Sequence, residues 1–142
     1  MRYLLDTNII SNVIKAEPSK SLLDWMAEQR DEDLFIASLT VAEIQRGILE
    51  KPAGKKRNAL EAWFSGPDGP PALFAGRVLP FDLGCTQAYA DLMAKARASG
   101  LTIAGADGYI AAIAAANGLA VATRDTGPFE AAGLAVINPW QA

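Results

Sequence analysis

Histidine is absent from this 142-residue sequence, and cysteine occurs once, at Cys85. The first absence removes imidazole general-base catalysis and every zinc site built with histidine. The second removes intramolecular disulfides and thiolate metal clusters, so Cys85 reads most simply as a buried helical residue. A nucleophilic thiolate there would need activation by another cation or by a helix terminus. A basic surplus is also missing: 13 Lys and Arg stand against 16 Asp and Glu, a formal charge of −3, and the pI is near 4.9. No broad basic footprint for duplex nucleic acid exists, although short basic patches beside a neutralised acidic site leave phosphodiester chemistry open. Long apolar runs are lacking as well, none approaching the ~18 residues of a membrane helix. The N-terminal apolar run is broken by Asp6 and Asn8 and reads as a strand rather than a signal peptide. The Ala-rich stretch from Ile103 to Val121 carries Asp107 and Asn117, which suits a soluble helix followed by a strand. A cytoplasmic location, with no membrane partner, is the expectation.

What is present is the composition of a compact globular protein. Apolar residues make up 51% and the mean hydropathy is +0.13, in a chain long enough to bury a core without disulfides. One domain over residues 1–142 is expected. Arg2 to Asp6 reads as a first strand, followed by a helix near residues 9–15 that Thr7 or Asn8 can cap. A helix near 20–29 presents Leu22, Leu23, Trp25 and Met26, and Asp31, Glu32 and Asp33 make a solvated turn. Leu34 to Ala37 is a second strand, leading into a helix with Val41, Ile44, Ile48 and Leu49. Another helix covers about 56–64. Residues 65–76, rich in Pro and Gly, read as a loop. A weak strand at 77–80 precedes helices at 83–99 and 107–117. Late strands at 119–123 and 134–137 are joined by a short helix that Pro128 starts. This alternation predicts an α/β three-layer sandwich with a mostly parallel central sheet of four or five strands.

Four acidic residues fall where these elements meet: Asp6 after the first strand, Glu43 early in the following helical unit, Asp107 opening the Ala-rich helix, and Asp125 past the fourth strand. Each has a local alternative. Asp6 and Asp107 could cap helices, Glu43 could form a capping box with Thr40, and Asp125 could serve a turn. In parallel sheets, however, sites form beyond the carboxyl ends of strands where strand order reverses, and there all four can share one pocket. Converging carboxylates repel until protons or a cation compensate. In a chain without histidine, one or two Mg²⁺ or Mn²⁺ ions held by oxygen are the natural compensation, and metal-activated water the natural chemistry. Thr7, Asn8 and Thr123 are candidates to orient ligands or water, or are ordinary turn residues. Arg46 and Arg124 could grip phosphate or pair with acids. Lys51, Lys55, Lys56 and Arg57 form the densest basic patch, either solvated helix surface or a contact for substrate or partner.

These residues lie within longer motifs. LLDTNIISNVI (Leu4 to Ile14), LTVAEIQRGIL (Leu39 to Leu49) and ADGYIAAIAAANGLAVATRD (Ala106 to Asp125) resemble the PIN-domain ribonucleases, especially VapC-type toxins and their plasmid-stability and FitB-like relatives. RVLPFD and FEAAGLAVINPW (Phe129 to Trp140) extend the similarity over nearly the whole chain. The resemblance implies a metal-dependent endoribonuclease, the toxin of a type II toxin–antitoxin pair. It implies Asp6, Glu43 and Asp107 as the core catalytic and metal-binding residues, with Mg²⁺ or Mn²⁺ as cofactor. Asp125 matches a less constant fourth region. Many relatives there have Arg-Asn and then an Asp directly before Phe, whereas this chain has Arg124-Asp125 and Pro128-Phe129. Asp125 therefore replaces that acid or occupies the neighbouring polar position. Gly108 stands where many relatives place Ala, a modest loss of helix propensity. The resemblance further implies an RNA substrate, a cognate VapB-type antitoxin, and a homodimer or heteromeric toxin–antitoxin assembly. Leu22, Trp25, Leu60 and Trp63 would then sit at partner contacts or in the core. Two other readings remain: a catalytically silent protein-binding module regulating through a partner complex, and a DNA-directed nuclease.

Overall fold

The computed structural model describes residues 1–142. At its centre are five strands, all paired in parallel: β1 (Tyr3–Leu5), β2 (Leu34–Ala37), β3 (Val78–Leu79), β4 (Ala120–Ala122) and β5 (Val136–Ile137). Their order is β3-β2-β1-β4-β5. The chain runs outward from β1 through β2 and β3, then returns to the other side of β1 as β4 and β5. The order therefore reverses at β1 and β4, where Leu4 faces Val121 and Leu5 faces Ala122.

Strand side chains alternate between the two faces, and both faces are apolar because helices cover both. Leu5, Leu34, Ile36 and Ala122 join one core with α1 (Thr7–Val13), α2 (Lys20–Ala27), α3 (Ser38–Leu49) and α5 (Pro70–Leu73), while α4 (Lys55–Ser65) packs alongside. Leu4, Ala37 and Val121 join the other with α6 (Leu83–Ala98), α7 (Gly105–Ala116) and α8 (Gly127–Ala131). The result is the expected α/β three-layer sandwich. Phe129 of α8 is fully buried, which contributes on the order of 2–3 kcal/mol and fixes the chain between β4 and β5. Leu22 and Trp25 are buried in the core, and Leu60 and Trp63 pack half-buried against it. No helix is long and apolar enough to cross a membrane.

Three local differences from the sequence reading have clear causes. Helix α1 starts directly at Thr7, because Asp6 itself is the N-cap and its Oδ1 accepts the Thr7 N–H at 2.8 Å. Helix α3 starts at Ser38, so Thr40 lies inside it and no capping box with Glu43 forms. The predicted loop at 65–76 contains α5, which Pro70 starts from the first helical position. Gly69 precedes it with its backbone against the Phe64 carbonyl, in a space that a Cβ would fill.

Candidate active site

The reversal in strand order leaves a crevice beyond the carboxyl ends of β1 and β4. The Asp6 N–H donates to the Ala122 carbonyl at 2.9 Å, extending the β1–β4 pairing by one residue into this crevice. Asp6 is buried, and its carboxylate is held on both oxygens. Oδ1 accepts from Thr7, and Oδ2 accepts from the Thr123 hydroxyl at 2.8 Å. Thr123, fully buried at the end of β4, also accepts from Asn8 Nδ2 at 3.1 Å and from the Asp125 N–H at 3.0 Å. One donated and two accepted bonds use the full capacity of a hydroxyl. The Arg124 N–H donates to Asn8 Oδ1 at 3.3 Å, so Asn8 ties the start of α1 to the segment leaving β4.

Glu43 reaches the crevice from the second turn of α3, on the β2 side. The Thr7 hydroxyl lies 2.8 Å from Glu43 Oε1 and 3.2 Å from the hydroxyl of buried Thr40. With one proton, Thr7 can donate to the Glu43 carboxylate while Thr40 donates to it in turn. Asp107 enters from the first turn of α7, the helix that leads into β4. Asp125 sits in the exposed turn after β4.

Asp6 and Asp107 each feel the charges of Glu43 and Asp125. Burial pushes the Asp6 carboxyl above its ordinary value; the Thr123 and Thr7 hydrogen bonds oppose this, and the charges of Glu43 and Asp125 add to it. Burial also raises Asp107, followed by repulsion from Asp6, Asp125 and Glu43. No Lys or Arg forms an ion pair with any of the four: the chain's ion pairs join other acids, Arg46 bonding Glu50 at 3.4 Å and Arg57 bonding Glu61 at 2.9 Å. No three acidic side chains close into a cage around a single point. The donor set nonetheless fits a hard divalent cation that keeps several waters, since Mg²⁺ commonly takes one or two protein carboxylates and fills its remaining positions with water or phosphate oxygens.

A groove of about 280 Å³ opens beside Glu43, between α1, α3 and α4. Thr7, Ser11, Gly47 and Lys51 line it. Of the basic patch, Lys51 alone belongs to this groove, while Lys55 and Lys56 are solvated surface. Ser11 and the hydroxyl role of Thr40 were not evident from the sequence. Ser11 follows Thr7 by four residues and so shares its helix face, which was the available signal. Thr40 gave none beyond its capping pattern. Cys85 is buried on α6, where burial raises its thiol. Gly108 faces α6: a Cβ there would lie 3.0 Å from Met93 Sδ, so a larger residue would require the Met93 side chain to shift.

With this geometry in place, the likenesses to other proteins gain meaning. The PIN domain family model matches residues 3–134. The chain is 54% identical to the VapC ribonuclease Y4jK of Sinorhizobium fredii over 138 residues, 97% of each chain. It is 44% identical to Toxin FitB of Neisseria gonorrhoeae over 137 residues, 96% of this chain and 97% of the other. The crystal structure of FitAcB from Neisseria gonorrhoeae superposes with a TM-score of 0.93 at 43% identity, covering 99% of both chains.

Proposed function

This chain belongs to the PIN-domain family, beside VapC ribonucleases and FitB-like toxins, and on that premise we propose that it is a divalent-metal-dependent endoribonuclease, the toxin of a toxin–antitoxin pair. The observation that carries the proposal is the acidic crevice itself: Asp6 and Asp107, each repelled by Glu43 and Asp125, lie at the strand-order reversal, and no Lys or Arg is ion-paired to any of the four.

Asp6, Glu43 and Asp107 would hold Mg²⁺ or Mn²⁺, directly or through its waters, with Asp125 as a supporting ligand or water orienter. Bound there, the metal supplies an activated water and offsets charge developing on the phosphodiester oxygens. The chain's own residues prepare that step. Thr123 and the Thr7 N–H hold both Asp6 oxygens in fixed directions, which removes rotamer freedom from the most buried acid. Thr7 orients Glu43 through its hydroxyl. Asn8 locks the β4 exit against α1, keeping Asp125 beside Asp6 and Asp107. The groove along Thr7, Ser11 and Lys51 gives a single strand a route past the acids.

The same reading carries a cytoplasmic location and a VapB-type antitoxin, whose cationic side chain would offset the carboxylates that a metal otherwise offsets. The toxin name of a 44% identical relative supports this, as does the uncompensated acidity. The test is incubation of purified, antitoxin-free protein with a pool of structured RNA and transfer RNA, with Mg²⁺, with Mn²⁺ and with chelator. Discrete metal-dependent cleavage that Asp6→Asn abolishes is the expected result. RNA left intact under every metal condition, with a DNA pool cut or a partner bound instead, would replace this reading by the nuclease or binding-module alternative.

A further inference from the structure

Three arginines lie over aromatic rings: Arg2 over Phe35, Arg77 over Phe74 and Arg124 over Trp140. Two of these guanidinium groups are already engaged. Arg2 donates to the Asn117 carbonyl, and Arg77 donates to the carbonyls of Asp31, Leu34 and Leu73. The Arg124 guanidinium makes neither a hydrogen bond nor an ion pair within the chain; only its backbone N–H is used, on Asn8. Its carbon rests 5.4 Å from the centre of the Trp140 ring. Along the chain the residue lies between Thr123, whose hydroxyl holds Asp6, and Asp125.

Trp140 is itself fixed. The β5 strand ends at Ile137, whose carbonyl accepts the Thr123 N–H at 3.0 Å. Asn138 then turns the chain, its Oδ1 accepting the Trp140 N–H and its carbonyl accepting the Gln141 N–H. The indole is half-buried against the core beneath. An aromatic ring held this way confines a flexible side chain, while cation–π attraction consumes none of the five guanidinium N–H donors.

We propose that Arg124 is a phosphate-binding residue for the RNA strand and that Trp140 is the positioning residue that holds its guanidinium ready at the rim of the acidic crevice. This rests on the RNA-cleaving reading above. A strand polyanion entering a site of four carboxylates meets repulsion until a cation on the rim offsets it. Arg124 supplies that cation without pairing with the acids, so it grips a phosphate next to the scissile one and leaves the acids free for metal. The ring substitutes for the acidic partner that would otherwise orient an arginine and compete with phosphate for it.

The test measures binding of a fluorescein-labelled single-stranded RNA oligonucleotide by anisotropy, in chelator so that no strand is cut, across a salt series. Wild-type protein is also assayed for cleavage of the same oligonucleotide with Mg²⁺. Arg124→Gln is expected to weaken binding about 10-fold, as loss of a charge-assisted phosphate contact does. It should also flatten the log Kd against log salt slope by about 0.7, the value of one phosphate on a single strand. Arg97→Gln on α6 removes the same charge elsewhere and should leave both unchanged. Trp140→Leu should weaken binding by about threefold, Trp140→Phe less, and Trp140→Leu should add nothing in the Arg124→Gln background. That last result separates positioning from general packing, which would weaken binding in either background. Cleavage by wild type together with unchanged affinity and slope in Arg124→Gln overturns the phosphate grip alone. Equal Trp140→Leu effects in both backgrounds overturn the positioning role. Wild type that neither binds nor cuts the RNA overturns this proposal and the RNA reading together.

Discussion

Replacing Asp6 by asparagine removes one charge from the crevice while keeping the side-chain shape, and its effect on stability divides into two parts. In metal-free protein the change relieves repulsion among Asp6, Glu43 and Asp125 and spares the burial of an ionised carboxylate. Against that, an amide cannot accept on both sides. Thr123 donates to one Asp6 oxygen and already accepts from Asn8 and Asp125, and the Thr7 N–H occupies the other. One of these bonds must be lost, at about 1 kcal/mol. The two effects offset, so the metal-free variant should melt within a few degrees of wild type. Metal separates them. An ion binding only the folded state at 100 times its Kd adds about 2.7 kcal/mol. For 142 residues, an unfolding entropy of about 2.1 cal/mol/K per residue turns that into a rise of about 9 °C. Differential scanning fluorimetry over a Mg²⁺ series should show this rise in wild type and less than about 3 °C in Asp6→Asn at the same concentration. A variant with the full rise, or with undiminished RNA cleavage, would refute Asp6 as the centre of the site.

The pH dependence follows from the raised carboxyls of Asp6 and Asp107. A carboxyl raised in the folded state binds its proton more tightly there, so the stability it contributes is present at low pH and is lost as pH rises through the raised value. Chelated wild type should therefore gain stability relative to an Asp6→Asn/Asp107→Asn protein as pH falls from neutrality towards the ordinary carboxyl range, by thermal melts across that series; an equal change in both proteins would reject the linkage. Thr123→Val should cost about 2–3 kcal/mol in urea unfolding, because it leaves the buried Asp6 oxygen and Asn8 amide without their partner, and should lower RNA cleavage at least 10-fold by freeing Asp6. Thr123→Ser should restore most of both. Gly69→Ala should cost about 2 kcal/mol or more, since its Cβ would strike the Phe64 backbone carbonyl and displace α5; a urea midpoint equal to wild type would contradict that packing.

Much of the fold was legible because local signals agreed. Leu34 to Ala37 is an apolar run with strand character and is a strand over those same residues. The Leu83 helix differs from its expected span by one residue, with Gly100 following in the left-handed conformation that ends it. The misreadings arose where one residue has two tasks. Asp6 was weighed as a cap or as a site acid, and it is the N-cap of α1 while facing the crevice, so the helix starts earlier than an N-cap at Thr7 or Asn8 would allow. Pro and Gly at 65–76 signal loops in general, but Pro70 at the first helical position admits a short helix.

Residue chemistry alone excluded an imidazole or thiolate cluster within the chain, pointed to an oxygen-donor acidic site as the alternative, and predicted the α/β alternation. These are local or compositional properties, and they hold whatever path the chain takes. Tertiary structure decided which groups meet. The strand order β3-β2-β1-β4-β5 places the Asp6 and Thr123 strand ends side by side and brings Glu43 and Asp107 in from helices on opposite faces. It also lays Trp140 under Arg124 and packs Gly108 against α6. Parallel strands must be joined by long crossovers, so residues far apart along the chain become neighbours only after the sheet has formed, and no local pattern records that pairing.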